Sequence, residues 1–528
     1  MYVKKGNILM KKSAAKPFII ACLLILALIW VSLARNSSRR PMPKNKRPTA
    51  ARQNMSPSPR SNPPANAGHR RTSKQRAAAR PSPKHLPATP KKPRRKPHPK
   101  VPINPATQLM ITDLRVVEDP IRTNPNAEAR ATWTFKYLME NMAGENDPAE
   151  FTLQWLKHWE EDQVVNGQVS PAREAIREKV IEPWLEASGG ERLDLRLAPF
   201  KLLAIVNRLD LRVHDEDSVT TGGEGRFVFG VLNQDGTPLP PLAGPAPGGF
   251  TVIFEYELVA DNMRDLQKWA HKWHDLGRHR IGSRSYNRAL EHITRRFTDA
   301  GKAPGKVNGN SINQIRSNEF AIGPNWELRE FVLDANTGLL IQNTVALTPD
   351  TILANGTPGL KDLINENETS ILDGTFILPT ELFGTGSVVG PFLPSDFPDF
   401  EDRTFTVIPF FDPFVDIPWS AEGIANNEAR HKFALNTCNG CHRSETDTAF
   451  LQIGFPPEHM LPASLGNEAQ LASFLAGGEV VDPVVPETVR TFNDLERRSA
   501  DLEELLDYLN REGSSRPPRK AHRPRFVH

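Results

Sequence analysis

The run from Lys201 to Val213, KLLAIVNRLDLRV, is followed by RFVFGVL at 226–232 and FTVIFEYELV at 250–259. These segments are rich in β-branched and aromatic residues. They are bounded by Gly222-Gly223, by Asn233 to Gly236 and by Pro247-Gly248-Gly249, which marks them as strands between turns. WELREFVL (326–333), LLIQNTVAL (339–347) and FTVIPFF (405–411) read the same way. Around them, large apolar groups recur at helical spacing in FTLQWLKHWEED (151–162), PAREAIREKVIEPWLEA (171–187), NMRDLQKWAHKWHDL (262–276) and SYNRALEHITRRF (285–297). Helices and strands come in blocks and do not alternate strictly, so residues 106–417 are expected to form an α+β domain. The sequence contains no internal repeat.

Charge divides the 528-residue chain. No Asp or Glu precedes Asp113, whereas residues 1–112 hold 25 Lys and Arg. That leaves 41 of the 66 basic residues against all 62 acidic ones, a net charge of −21 on the rest of the chain. From Arg35 to Lys100 there are 14 Pro and 20 Lys or Arg. Such a segment cannot bury enough apolar surface to offset its ordering entropy, so 35–105 is expected to be a disordered, basic, Pro-rich linker. It could extend to about 200 Å. It suits contact with an anionic envelope surface through residues 35–100, or a plain solvated spacer. A nucleic-acid arm is disfavoured, because no aromatic residues are interleaved to stack on bases. The tail, 512–528, repeats this basic composition.

Residues 18–31, FIIACLLILALIWV, follow five lysines, which is the layout of a secretory leader. Residues 1–34 are therefore expected to be a signal peptide or a membrane anchor, with 17–34 as the membrane-contacting part. Ser32-Leu33-Ala34 offers small residues for cleavage. Trp30 and the arginines that follow argue for retention.

Candidate sites within 106–417 are sparse. His271, His274 and His279 lie in WAHKWHDLGRH, but no carboxylate or thiolate completes a metal spacing, and Trp269 and Trp273 point to a packed helix. GGEGRFVFG precedes a strand and does not open a helix, so it is a turn rather than a phosphate cradle. Neither a GxSxG elbow nor an HExxH motif occurs.

Only three cysteines are present: Cys22, Cys438 and Cys441. The last two stand in Cys438-Asn439-Gly440-Cys441-His442, a CxxCH string, the attachment signature of a c-type haem. The spacing lets two sulfurs reach the two vinyl groups on one porphyrin edge while the adjacent histidine meets the iron. Two other readings compete. A redox dithiol or disulfide would ordinarily follow a strand, whereas Cys438 follows the helix-like NEARHKFALNT (427–437). A structural zinc site needs four ligands, and no further cysteine outside the leader supplies them.

After the motif comes FPPEHMLPASL (455–465), a proline-bounded loop. A helix is expected from Asn467, with Leu471, Phe474 and Leu475 on one face and Gly477 as terminator, then a closing helix with Leu495, Leu502, Leu506 and Leu509 on one stripe. This arrangement over 418–511 resembles the class I cytochrome c fold, a small all-α domain, and DLEELLDYLN looks like its closing helix. The resemblance implies one covalent haem c, thioethers at Cys438 and Cys441, His442 as proximal ligand and Met460 as candidate distal ligand. Met460 follows His442 by only 18 residues, closer than the distal methionine usually falls, so His459 and an open position stand as rivals. AIVNRLDLR, GEGRFVFG and RHKFALNTCNGCH also resemble a group of exported bacterial proteins of unassigned function.

The chain is thus expected to be multidomain: leader, basic arm, α+β domain and haem domain. The corresponding function is a membrane-tethered or periplasmic monohaem cytochrome that transfers electrons to an unidentified redox partner. A haem enzyme with an open sixth iron position is one rival. A non-haem envelope binding protein with a Cys438–Cys441 disulfide is the other.

Overall fold

Strand-forming residues at 200–257 and 312–343 build one antiparallel sheet. In the computed structural model, residues 101–510 are described except 128–130, 215–217, 241–248, 324–325, 346–354, 380–386, 390–417, 439 and 456–467. The sheet comprises β1 (Met110–Ile111), β2 (Phe200–Arg208), β3 (Glu224–Val231), β4 (Phe250–Glu257), β5 (Ile312–Glu319), β6 (Trp326–Leu328), β7 (Glu330–Leu333), β8 (Leu340–Asn343) and β9 (Ser387–Val389). Its order is β1-β2-β3-β4-β5-β6-β9, with β7 pairing both β5 and β8. The expected large α+β assembly is therefore present. The leader, residues 35–100 of the arm, the tail, the strand-like 405–411, His459 and Met460 lie outside the described residues. Residues 101–105, expected to end the disordered linker, instead pack on the body: the Val101 carbonyl lies 2.8 Å from His274 Nε2, and Asn104 caps a helical turn over Pro105–Gln108. Among the described residues, no helix is long and apolar enough to cross a membrane.

Register sorts the side chains into two faces, because successive residues of a strand point to opposite sides. Arg226 opposes Val206 and Glu255, Val228 opposes Ile253, and Thr251 opposes Asn318, so these residues share one face. Phe227, Phe229, Phe254 and Tyr256 project from the other. That second face is covered by helices α1 (Phe135–Met142), α2 (Pro148–Lys157), α3 (Met263–Asp275) and α4 (Arg284–Thr298). Thr134, Asp147, Asn262 and Ser283 cap their N-termini with side-chain oxygens. Phe135 stacks on Phe200 at 4.0 Å and meets Phe254 edge-on at 5.8 Å, while Phe297 packs on Tyr256 at 5.6 Å. Each such buried ring contributes about 2–3 kcal/mol through removal from water.

The first face is covered by the C-terminal segment. This segment contains α5 (Asn427–Ala434), a π-helical turn over Gly440–Ser444 and α6 (Asp494–Asn510). Its Leu435, Cys441, Phe455, Phe474, Leu475, Leu502 and Leu505 belong to the same buried cluster as the sheet, so the core runs unbroken from sheet to C-terminal segment. Gly230 on β3 permits the approach, since a Cβ there would overlap the Phe455 ring.

The segment departs from the all-helical expectation. β10 (Ile453–Gly454) pairs with β11 (Gln470–Leu471), and β12 (Gly478–Val481) pairs with β13 (Val489–Phe492). The helix expected from Asn467 is a single turn, Ser473–Ala476, ended by Gly477 at φ +109°. The physical reason lies in the sequence: Val480, Val481 and Val489 are β-branched, and Pro483 and Pro486 interrupt any helix between them. The closing helix is present, with Leu495, Leu502, Leu505 and Leu506 buried.

Candidate functional site

The CxxCH motif sits directly after α5, on a backbone that only glycine completes. Thr437 Oγ1 accepts from the Gly440 N–H at 3.0 Å, and a Cβ at Gly440 would run into the Ala434 carbonyl oxygen. The tight turn brings His442 under the first face of the sheet. The ring is buried, and its Nδ1 lies 2.6 Å from the Phe450 carbonyl oxygen. A carbonyl can only accept, so Nδ1 carries the proton and the lone pair of the neutral ring sits on Nε2. Burial pulls the imidazole pKa down to about 4, with the Arg316 charge acting in the same direction, so the ring is neutral at physiological pH.

Several residues hold this geometry. Phe450 adopts φ +64°, a left-handed conformation that non-glycine residues rarely take. Its ring packs between Phe320 at 5.3 Å and Trp326 at 5.5 Å, and the Trp326 ring also lies 5.2 Å from His442. Asn318 donates to the same Phe450 carbonyl at 3.1 Å and accepts from Trp326 Nε1. No motif marks Asn318, Trp326 or Phe450; the φ > 0 at a bulky residue is visible only in the fold.

Both cysteines are buried, and no disulfide joins them in this structure. Cys438 packs with Phe320, Trp326, Leu328 and Phe450, and Cys441 belongs to the main core. Burial, with Asp494 adding to it, pushes the Cys441 thiol well above its ordinary range, keeping it protonated. Gln452 Nε2 donates to the Cys441 carbonyl at 2.8 Å.

Behind the motif lies a buried ionic knot. Arg430 bridges Glu445 and Asp482, Arg490 reaches Asp482 at 2.9 Å, and His431 Nδ1 lies 2.6 Å from Glu445 Oε2. Among the described residues, His431, Glu445 and Asp482 are the one group of three His, Cys, Asp or Glu whose donor atoms gather within 4.8 Å. Arg430 already supplies their cation, so the knot ties α5, the motif and the β12–β13 ribbon together. Cys438, Cys441 and His442 do not converge as a metal clamp, which disfavours zinc. His271, His274 and His279 hold no metal set either: His274 Nε2 lies 2.8 Å from the Val101 carbonyl, and Trp269 and Trp273 are buried as expected.

The sheet face beneath His442 carries a ladder of paired charges. Arg208 pairs with Asp210 at 2.9 Å, Arg226 with Glu224 and Glu255 at 2.6 and 3.1 Å, and Arg316 with Glu330 at 2.8 Å. Between ladder and motif is a cavity of about 40 Å³ bordered by His442, Gln452, Arg208, Arg226 and Arg498.

Cys438, Cys441 and His442 are donors of the kinds a c-type haem takes, and with Nδ1 held by the Phe450 carbonyl the His442 ring carries its lone pair on Nε2. The cavity beside His442 holds only a few atoms, so a macrocycle does not fit between the sheet and the motif with the side chains where they stand. No known protein family, curated protein or solved structure matches the chain.

Proposed function

We propose that this protein is an exported, envelope-tethered monohaem c-type cytochrome that transfers electrons. The observation that carries the reading is His442 in a CxxCH string, neutral, buried and fixed in the tautomer that leaves Nε2 for a metal. Cys438 and Cys441 would form the thioethers, and His442 would be the proximal ligand. Bound haem supplies one-electron redox chemistry. The Phe450 carbonyl orients the imidazole and raises its basicity, and the aromatic wall of Trp326 and Phe450 excludes water from that side. Residues 17–34 would hold the chain at the membrane, and the arm 35–100 would touch an anionic surface. The finer form of the proposal is a cytochrome c-like C-terminal segment, supported by α5, the motif turn and α6, with the β10–β11 and β12–β13 ribbons as its departures from an all-helical domain.

The test is a pyridine-haemochrome assay on the full chain produced with a periplasmic haem-maturation system. One haem per chain that survives denaturing electrophoresis, and is lost in Cys438→Ala with Cys441→Ala, is the expected result. Absence of haem from the wild-type chain overturns it. Carbon monoxide binding to the reduced haem protein would favour the haem enzyme over the carrier.

A further inference from the structure

The cavity between α6 and the sheet has a charge pattern that the haem reading does not use. Arg498 is 2% exposed, and its Nη2 lies 2.6 Å from Asp494 Oδ2. Its Nε and Nη1 are buried with no hydrogen-bond partner, and its side chain lines a cavity together with Arg208 and Arg226. A guanidinium has five donors and no acceptor, so orphaned donors on a buried one call for an acceptor atom in the space they face. Arg208, Arg497 and Arg498 share Asp210 and Asp494, while Arg226 on the same wall has Glu224 and Glu255, so the cluster is balanced as a whole and the cationic side of the cavity is the one that Arg208 and Arg498 form. Gln452 Oε1, an acceptor, is likewise buried without a partner on the same cavity wall.

We infer that this cavity is a binding site for a carboxylate, held by the unpaired donors of Arg498 beside Arg208. The size agrees: about 40 Å³ admits a carboxylate with one or two further atoms and excludes larger ligands. Arg498 remains the cation that recognises it, because burial and the neighbouring Arg208 bring its pKa down only to about 10. Gln452 Oε1 adds a preference for a ligand carrying a hydroxyl next to the carboxylate, since that O–H can donate to it. The carboxylate has two conceivable sources, a free small hydroxy acid or a propionate arm of a tetrapyrrole bound at His442. The inference itself does not depend on haem, because Arg498, Arg208 and Gln452 are present in the haem-free chain.

The experiment uses the full chain, haem-free and haem-loaded, with sodium glycolate as the probe and sodium chloride of equal ionic strength as the reference. Thermal denaturation and isothermal titration are the readouts. Glycolate is expected to raise the melting temperature of the haem-free chain saturably, beyond the chloride effect. Its affinity should fall about tenfold or more in Arg498→Gln. Arg498→Lys keeps the charge beside Asp494 and should show the same loss if Arg498→Gln fails to fold. Arg278→Gln, on an exposed arginine remote from the cavity, should bind as wild type does. If the haem-loaded chain no longer takes glycolate, the propionate is the resident carboxylate; if it still does, a free acid is. A haem-free chain that responds to glycolate no more than to chloride overturns the inference, as does unchanged affinity in both Arg498 variants. Neither result bears on whether haem attaches at Cys438 and Cys441.

Discussion

His442 and Phe450 are joined twice: the His442 Nδ1–H donates to the Phe450 carbonyl at 2.6 Å, and the Phe450 N–H donates to the His442 carbonyl at 3.1 Å. The loop between them is thereby closed on itself, and the imidazole cannot rotate without breaking its own anchor. Phe450 accepts φ +64° to make this closure, a cost offset by packing its ring against Trp326 and Phe320.

Phe450→Gly separates these two contributions. Glycine relieves the left-handed backbone, worth about 1 kcal/mol, but forfeits the buried ring, worth about 3 kcal/mol. Net destabilisation of about 2 kcal/mol is expected in urea unfolding, with unchanged far-ultraviolet dichroism. A variant as stable as wild type would show that the aromatic wall does not hold the loop.

Gly230→Val tests how the C-terminal segment rests on the sheet. The added side chain would occupy the position of the Phe455 ring and push β10 away from β3. Overpacking of this kind costs about 2 kcal/mol or more. Because the core is continuous, unfolding should remain a single transition at a lower midpoint. A separate early transition of the C-terminal segment would instead mark it as an independently folding unit.

The blocks of the sheet were legible in the sequence. β2, β3 and β4 fall on KLLAIVNRLDLRV, RFVFGVL and FTVIFEYELV, since β-branched and aromatic runs between glycine turns have few other options. α3 and α4 follow from their apolar spacing, and the motif itself from five residues. The C-terminal ribbons were missed. QLASFLAG satisfies a helical period as well as a short strand and a turn, and only its pairing with Ile453–Gly454 decides between them. The residues around His442 were illegible for a different reason. Asn318 and Trp326, more than a hundred residues before His442, and Arg498, more than fifty after it, reach the site through sheet register and helix packing, which leave no local pattern.

Met460 and His459 define a prediction about the sixth iron ligand. A thioether raises the potential relative to a second imidazole. On the haem-loaded chain, Met460→Ala is expected to abolish the thioether charge-transfer band, lower the potential and admit carbon monoxide. His459→Ala should leave the spectrum unchanged. A wild-type spectrum without that band, already binding carbon monoxide, would assign an open sixth position and favour the haem enzyme.

Asp482 offers a test in which pH and mutation check each other. Burial alone would raise its pKa, but the Val485 and Val484 N–H groups, with Arg430 and Arg490, hold the carboxyl well below the ordinary carboxylate range. In the unfolded chain it titrates near the ordinary value of about 3.9. Its contribution is therefore complete above that value and declines as pH falls through it, because the unfolded chain takes up the proton first. Asp482→Asn removes the charge that Arg430 and Arg490 share and should cost about 3 kcal/mol at neutral pH. The gap between wild type and variant, read from urea midpoints, should hold down to about pH 4 and narrow progressively below it, as the wild type loses what the variant already lacks. A gap that stays constant below that pH would show that the aspartate acts through packing of the β12–β13 ribbon, and that its charge does not bind the ribbon to α5 and the cysteine motif.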